Sequence, residues 1–375
     1  MIFKKRREKN YIMKKTTFLS QKSILNLISN IIDFTFFQNY IGHTNAIYLL
    51  VYIAGLIICR KNNTMTNISR FLKLCYHDSL QRMLNTAKIP YRVLSEFFIS
   101  WLLKNRQKPG YLIIDDTLIE KEHSKKIQCA GYAYSSGRKK SVMGIHIVVM
   151  YWSDGDMRIP VGFRLWMPKN KTNYYKTKID LAIELLTHND KFCKSCSYIT
   201  FDSWYCSDKI LRLLSLMKLP CVSSLKKNRN IVFKGRECHI SSFKAKSGQV
   251  NLPGFGSVLI YRDKREDGVR YLMSTNVNIS AKEVEKRYIS RWSIEENFRF
   301  MKGNLGLSGC QCRKNPAVEN HISSIFLAHF VMEVFSAQTD MNVYGASLYM
   351  LNKFLGFRDE IPKLQERREL LQTMI

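Results

Sequence analysis

Four acidic residues, at three places in the chain, stand where chemistry could be done. Asp115 and Asp116 close the short apolar run Tyr111–Ile114, and Asp202 closes the run Ser197–Phe201. Both runs have the length and β-rich composition of buried strands, so their acids would sit at carboxyl ends. Glu295 lies farther along, in a charged segment with helical spacing. Carboxylates brought from two strand ends and one packed helix offer the oxygen ligands that hard divalent ions such as Mg2+ prefer. Adjacent residues on a strand point to opposite faces. Only one of Asp115 and Asp116 could therefore readily share a site with Asp202.

The segment around Glu295 opens with Ser280-Ala-Lys-Glu283, a capping-box sequence with Ser280 as N-cap. No Pro or Gly follows until Gly303, which predicts one helix of roughly 22 residues, about 33 Å long. On a wheel of about 100° per residue with Tyr288 at zero, Arg291, Glu295, Arg299 and Lys302 fall within about 80°. A solvated face with i,i+4 pairs such as Glu295–Arg299 would give the same periodicity. Order and spacing carry more than periodicity does.

The pattern Tyr-x2-Arg-x3-Glu-x6-Lys, here Tyr288, Arg291, Glu295 and Lys302, resembles the signature of bacterial insertion-sequence DDE transposases of the YREK, IS-four-like group. Ile113-Ile114-Asp115-Asp116-Thr117 looks like that family's strand-ending Asp-x-Thr. Tyr198-Ile-Thr-Phe-Asp202-Ser-Trp-Tyr205 looks like its second strand-ending aspartate. Ser223-Ser-Leu-Lys-Lys-Asn-Arg229 and Leu272-Met-Ser-Thr275 resemble segments flanking its β insertion. The resemblance covers about residues 110 to 330.

It implies a ribonuclease H-like fold, with Asp115, Asp202 and Glu295 as catalytic residues holding two Mg2+ ions, or Mn2+ in their place. The family register favours Asp115, with Asp116 as the alternative. Two such ions activate a water or 3′-hydroxyl and stabilise the leaving oxygen in phosphodiester displacement. Tyr288, Arg291 and Lys302 would contact DNA phosphates; the role of Arg299 is open. The implied activity is cleavage at transposon ends and transfer of the 3′-hydroxyl into target DNA. Its partners are double-stranded DNA, as terminal inverted repeats and target, and a second subunit in a homodimer on DNA. The alternatives are a ribonuclease H-like nuclease without strand transfer and a non-catalytic DNA-binding relic.

The elements that must position these residues divide as follows. Residues 1–105 read as a helical region suited to DNA binding, with apolar residues at helical spacing and interspersed Arg70, Lys73, Arg82 and Lys88. Residues 106–225 read as the first part of an α/β catalytic core. Within it Val142–Trp152 and Met157–Trp166 form a hairpin about Ser153-Asp154-Gly155-Asp156, and Thr177–Thr187 and Cys206–Lys218 form helices. Residues 226–279 read as a β-rich insertion with strands at Val258–Arg262 and Val269–Thr275. Residues 280–335 complete the core, and 336–375 form a C-terminal helical region. The fold class is a mixed sheet flanked by helices.

Composition supports a polyanionic partner. The 375 residues carry 59 Lys and Arg against 30 Asp and Glu, a formal net charge of +29. Neutralising phosphates releases counterions, so such a surplus favours nucleic acid. Hydrophobic residues at 46% exclude general disorder. The basic N-terminus lacks the apolar core of a signal peptide. The longest apolar run, Ala46–Cys59, is too short at about 14 residues to span a bilayer, so a soluble, cytoplasmic, nucleoid-associated protein is expected. The ten cysteines lack zinc-finger or ribbon spacing and read as reduced thiols. No Walker or dinucleotide glycine motif appears. His146 reads as a satisfied core histidine, and Trp204 and Trp292 read as core residues before base-stacking ones.

Overall fold

The computed structural model describes residues 21–355, apart from residues 61, 125, 136, 137, 267 and 340. The ends of the N-terminal and C-terminal regions, 1–20 and 356–375, lie outside the described residues.

β1 (Tyr111–Glu120) is central. Its entry is fixed by Gly110, whose φ of +65° favours glycine. A Cβ there would meet the Trp152 indole at 2.3 Å. The same indole donates to Pro109 O at 2.8 Å. β3 (Lys140–Ser153) runs antiparallel to β1 along its whole length. β4 (Arg158–Trp166) returns along the far edge of β3, through the turn expected at Ser153–Asp156. The apolar residues of β3 run almost without interruption because both faces are covered.

On its other edge β1 meets β5 (Ile199–Phe201), which is parallel to it, and β5 is parallel to β6 (Cys221–Leu225). The core order β4-β3-β1-β5-β6, antiparallel then parallel, is that of a ribonuclease H-like sheet. Two helices cross over between the parallel strands' partners. α7 (Lys178–His188) begins with a complete capping box, Thr177 and Asp180, and α9 (Asp208–Leu216) joins β5 to β6. The short α8 (Asp190–Lys194) follows α7.

The β-rich stretch after β6 is not a separate lobe. β11 (Gly268–Ser274) pairs antiparallel with β6, and β10 (Gly256–Arg265), β9 (Ser247–Leu252), β7 (Asn230–Phe233) and β8 (Arg236–His239) extend the ladder outward. With the edge strand β2 (Gly131–Ser135), the sheet has eleven strands among the described residues. β2 is a strand not expected from the sequence.

The N-terminal region is helical as expected: α1 (Gln21–Ile32), α2 (Phe34–Ile41), α3 (His43–Ile58), α4 (Met65–Leu72), α5 (His77–Thr86) and α6 (Tyr91–Asn105). It shares one hydrophobic core with the sheet. The link is α12 (Asn315–Thr339), buried along most of its length, against which α3, α5, β4 and α13 (Val343–Phe354) pack. Phe330 of α12 lies edge-on to Phe97 and Trp101 of α6, geometry that aromatic pairs favour. By length and composition α12 could cross a membrane, yet 78% of that apolar window is buried inside the fold.

Candidate active site

β1 and β5 run in register, with Ile114 beside Phe201, so the next residues along, Asp115 and Asp202, emerge side by side. β1 itself continues past the acids to Glu120, paired with β3. The acids thus end the β5-paired stretch rather than the strand. Asp202 is held by its own turn: its Oδ1 accepts from the amides of Trp204 at 2.9 Å and Tyr205 at 3.4 Å. Ser223 of β6 donates to its carbonyl at 3.1 Å.

The third acid arrives from a helical rod in two parts. α10 (Ala281–Ile289) starts at Ser280, which caps Glu283 N as expected. Instead of one helix to Gly303, a 3-10 turn at Ser290–Trp292 separates it from α11 (Ser293–Gly303). Ser290 Oγ donates to Arg287 O at 2.7 Å, and Ser293 Oγ to Ser290 O at 2.8 Å. Serine hydroxyls bonding back to earlier carbonyls compete with the main-chain ladder.

Arg291 sits on that turn and joins the acids. Its Nη1 meets Asp115 Oδ2 at 2.5 Å and its Nη2 meets Glu295 Oε1 at 3.1 Å. Charge-assisted bonds to two carboxylates are strong and directional. Burial works against the guanidinium charge, but Asp115, Tyr288, Glu295 and Asp202 outweigh it and hold its pKa above the usual value. Burial raises Asp115 to about 7; Arg291 opposes this, while the charges of Asp116 and Asp202 add to it. Asp202 is raised as well, again chiefly by burial.

Asp116 faces the other way. Its Oδ2 pairs with Lys178 of α7 at 2.6 Å, and its Oδ1 accepts from the Tyr205 hydroxyl at 3.0 Å. The structure therefore brings Asp115, Asp202, Arg291 and Glu295 to one face and leaves Asp116 on the opposite one. Tyr205, missed in the sequence, ties Asp116 to the turn that carries Asp202. A tyrosine three residues after a strand-ending aspartate was its one available signal.

Tyr288 is buried: its hydroxyl donates to Ser224 Oγ at 3.1 Å, and Arg270 lies over its ring at 4.6 Å. Lys302 is half-buried at the far end of α11; burial lowers its pKa and the charge of Glu120 opposes that. Arg299 is exposed. Three expectations need correction. Trp204 and Trp292 do not pack in the core; they are 55% and 58% exposed. Trp204 follows the strand end and lies under Lys226 Nζ at 4.9 Å, and Trp292 stands on the outer side of the 3-10 turn. His146 is buried but unsatisfied, both ring nitrogens lacking partners beside the Trp166 ring. Burial, with Lys178 nearby, lowers its pKa to about 4.

Among the described residues, no three His, Cys, Asp or Glu side chains are close enough to grip an ion as they stand. Arg291 is the cation between Asp115 and Glu295. The donor set is nonetheless of the right kind: all-oxygen, anionic, and partly buried with Asp115 under-compensated, which suits a hard divalent ion.

An antiparallel hairpin leading into parallel strands, with acids at the strand junction and a helix-borne glutamate opposite, defines a ribonuclease H-like α/β protein. A family model described as DDE superfamily endonuclease matches residues 36–249, more than half of the chain, and the chain belongs to that superfamily. The matched stretch includes Asp115 and Asp202 and stops before Glu295. No curated protein matches the chain. Membership makes this an endonuclease-type enzyme acting on DNA, in a superfamily that normally uses divalent metal ions.

Proposed function

We propose that the protein is a DDE transposase of the YREK group, cutting at the ends of a mobile element and joining the 3′-hydroxyl to target DNA. The observation that carries this reading is Arg291 bridging Asp115 and Glu295 beside Asp202. Arg291 and Glu295, at signature spacing, meet the strand-borne Asp115 on the face that Asp202 shares.

Asp115, Asp202 and Glu295 would hold the metal, two Mg2+ or Mn2+ ions. When bound, a pair of such ions supplies an activated oxygen nucleophile and stabilises the departing one. The chain's own residues do the rest. Arg291 presents a planar fork suited to phosphate and offsets the buried carboxylates. Lys302 adds a cation at the end of α11. Tyr288 acts from below, bracing α10 against β6 through Ser224, in place of the phosphate contact expected from its spacing. A homodimer on DNA and a nucleoid location belong to the same reading.

The test is Mg2+-dependent cleavage of duplex carrying the inverted repeats that bracket the gene, followed by joining to supplied target DNA. Wild type should give both products and Glu295→Gln neither. Cleavage by the variant at the wild-type rate would falsify the assignment of Glu295. Hydrolysis by wild type without joined product would reduce the protein to a nuclease.

A further inference from the structure

At the end of β1 the sheet thins to a two-stranded ribbon. β1 stops at Glu120, opposite Gly144, and β4 reaches β3 only as far as His146. From Lys140 to Val142, β3 has β2 as its strand partner among the described residues. Tyr132 and Tyr134 project from one ribbon face, 66% and 67% exposed, across from Met143 and Ser141. The other face carries Ala133 and the buried Val142. Both phenol rings stand mostly in solvent, side by side on an edge strand.

The loop after β4 continues this surface. Lys171 Nζ donates to Ile127 O at 3.0 Å and Ala130 O at 2.7 Å, fastening that loop to the base of the ribbon. It displays Tyr174, 85% exposed, and Lys169, whose Nζ lies 5.0 Å from the Tyr175 ring centre.

The neighbouring carboxylates are already engaged. Glu120 and Glu122 pair with Arg138, and Glu184 with Arg164 and Lys176. Among the described residues, Lys139, Lys140 and Lys169 have no carboxylate partner, and all three are exposed. The surface adjoins the end of the glutamate helix and the turn that follows it: Glu120 lies within the electrostatic reach of Lys302, and Lys121 donates to Ser308 O at 2.8 Å.

We propose that the ribbon and this loop grip the sugar-phosphate backbone of double-stranded DNA next to the cut, without reading its sequence. Lys139, Lys140 and Lys169 take phosphates, while the tyrosine hydroxyls donate to phosphate oxygens and their rings lie against the sugars. The inference rests on the reading of the neighbouring acids as a DNA-cutting site. A second copy of the chain fits less well on this face, because two surfaces with uncompensated lysines on chains of net charge +29 repel.

The test is binding of a labelled mixed-sequence duplex, followed by fluorescence anisotropy across a salt series without divalent ions, so that cleavage plays no part. Tyr132→Ala/Tyr134→Ala should weaken binding by roughly three- to tenfold. Lys139→Gln/Lys140→Gln should make the salt dependence shallower by about two counterions. Circular dichroism and melting check each fold, and the exposed lysine pair tests the proposal even if the tyrosine variant fails to fold. Wild-type affinity and salt slope in both variants would overturn the ribbon assignment alone. Failure of the wild type to bind duplex at all would overturn the DNA reading with it. Sedimentation provides a further arm. A wild-type dimer that the tyrosine variant converts to monomer, with DNA binding unchanged, would give the face to a second copy and overturn the proposal.

Discussion

Asp115 and Asp116 are neighbours on one strand, yet they live in opposite electrostatic worlds. Asp115 shares its face with two other acids and one arginine, and burial keeps its carboxyl raised to about 7. Asp116 on the reverse face has a dedicated lysine, Lys178, and a tyrosine donor. One carboxylate is left short of positive charge; the other has a matched partner. A site that must accept a further cation needs the first condition, and a fixed tie between elements needs the second. The strand's alternation is enough to separate the roles.

The sharpest break would come in catalysis. Asp115→Asn should reduce Mg2+-dependent cleavage to background. Asp116→Asn should leave activity lowered by roughly 10- to 100-fold, the scale seen when a group supporting a metal ligand is lost. Equal losses in the two variants would erase the distinction.

The next effect is on stability against pH in metal-free protein. The folded state holds the Asp115 proton more tightly than the unfolded chain, whose aspartate has the ordinary value of 3.8. This contribution is therefore most favourable below pH 3.8, and stability declines as pH rises towards about 7. Asp202 slopes the same way. Urea denaturation between these limits should show a flatter pH dependence for Asp115→Asn than for wild type; an unchanged slope would mean that burial does not hold the proton there.

On the reverse face, Asp116→Ala strands the largely buried ammonium of Lys178 and should cost about 1–3 kcal/mol, read from the denaturation midpoint. Smallest is Tyr205→Phe. It removes one hydroxyl from Asp116 and should cost about 0.5–1.5 kcal/mol, while the turn's amides still hold Asp202. A loss of cleavage as complete as that of Asp115→Asn would move Tyr205 from support into the site.

Much of this was legible because local chemistry and global fold agree. The N-cap at Ser280, the turn at Ser153–Asp156 and the apolar runs ahead of the acids are short-range signals that the packing keeps. What escaped depends on contacts distant in sequence. The strands of the β-rich stretch could be read, but not that β11 would pair with β6 and prolong the main sheet. The exposure of Trp204 and Trp292 ran against their apolar character. His146 sits in a run whose pattern promises burial, but pattern says nothing of whether ring nitrogens find partners. The ribbon tyrosines were invisible because β2 is short and lies at an edge.

The 3-10 turn at Ser290–Trp292 changes the phase of the helix as well as its bonding. A 3-10 turn advances about 120° per residue against about 100° for an α-helix, so three residues add about 60° of rotation. On an uninterrupted helix Tyr288 and Glu295 would point within about 20° of each other. The extra winding lets Tyr288 turn down to Ser224 while Glu295 looks across to Arg291 and Asp115. The spacing from Tyr288 to Glu295 therefore fixes their relative directions only when the turn is counted. Straightening it, by replacing Ser290 and Ser293 with alanine, would rotate the glutamate away from the aspartates without altering a single charge.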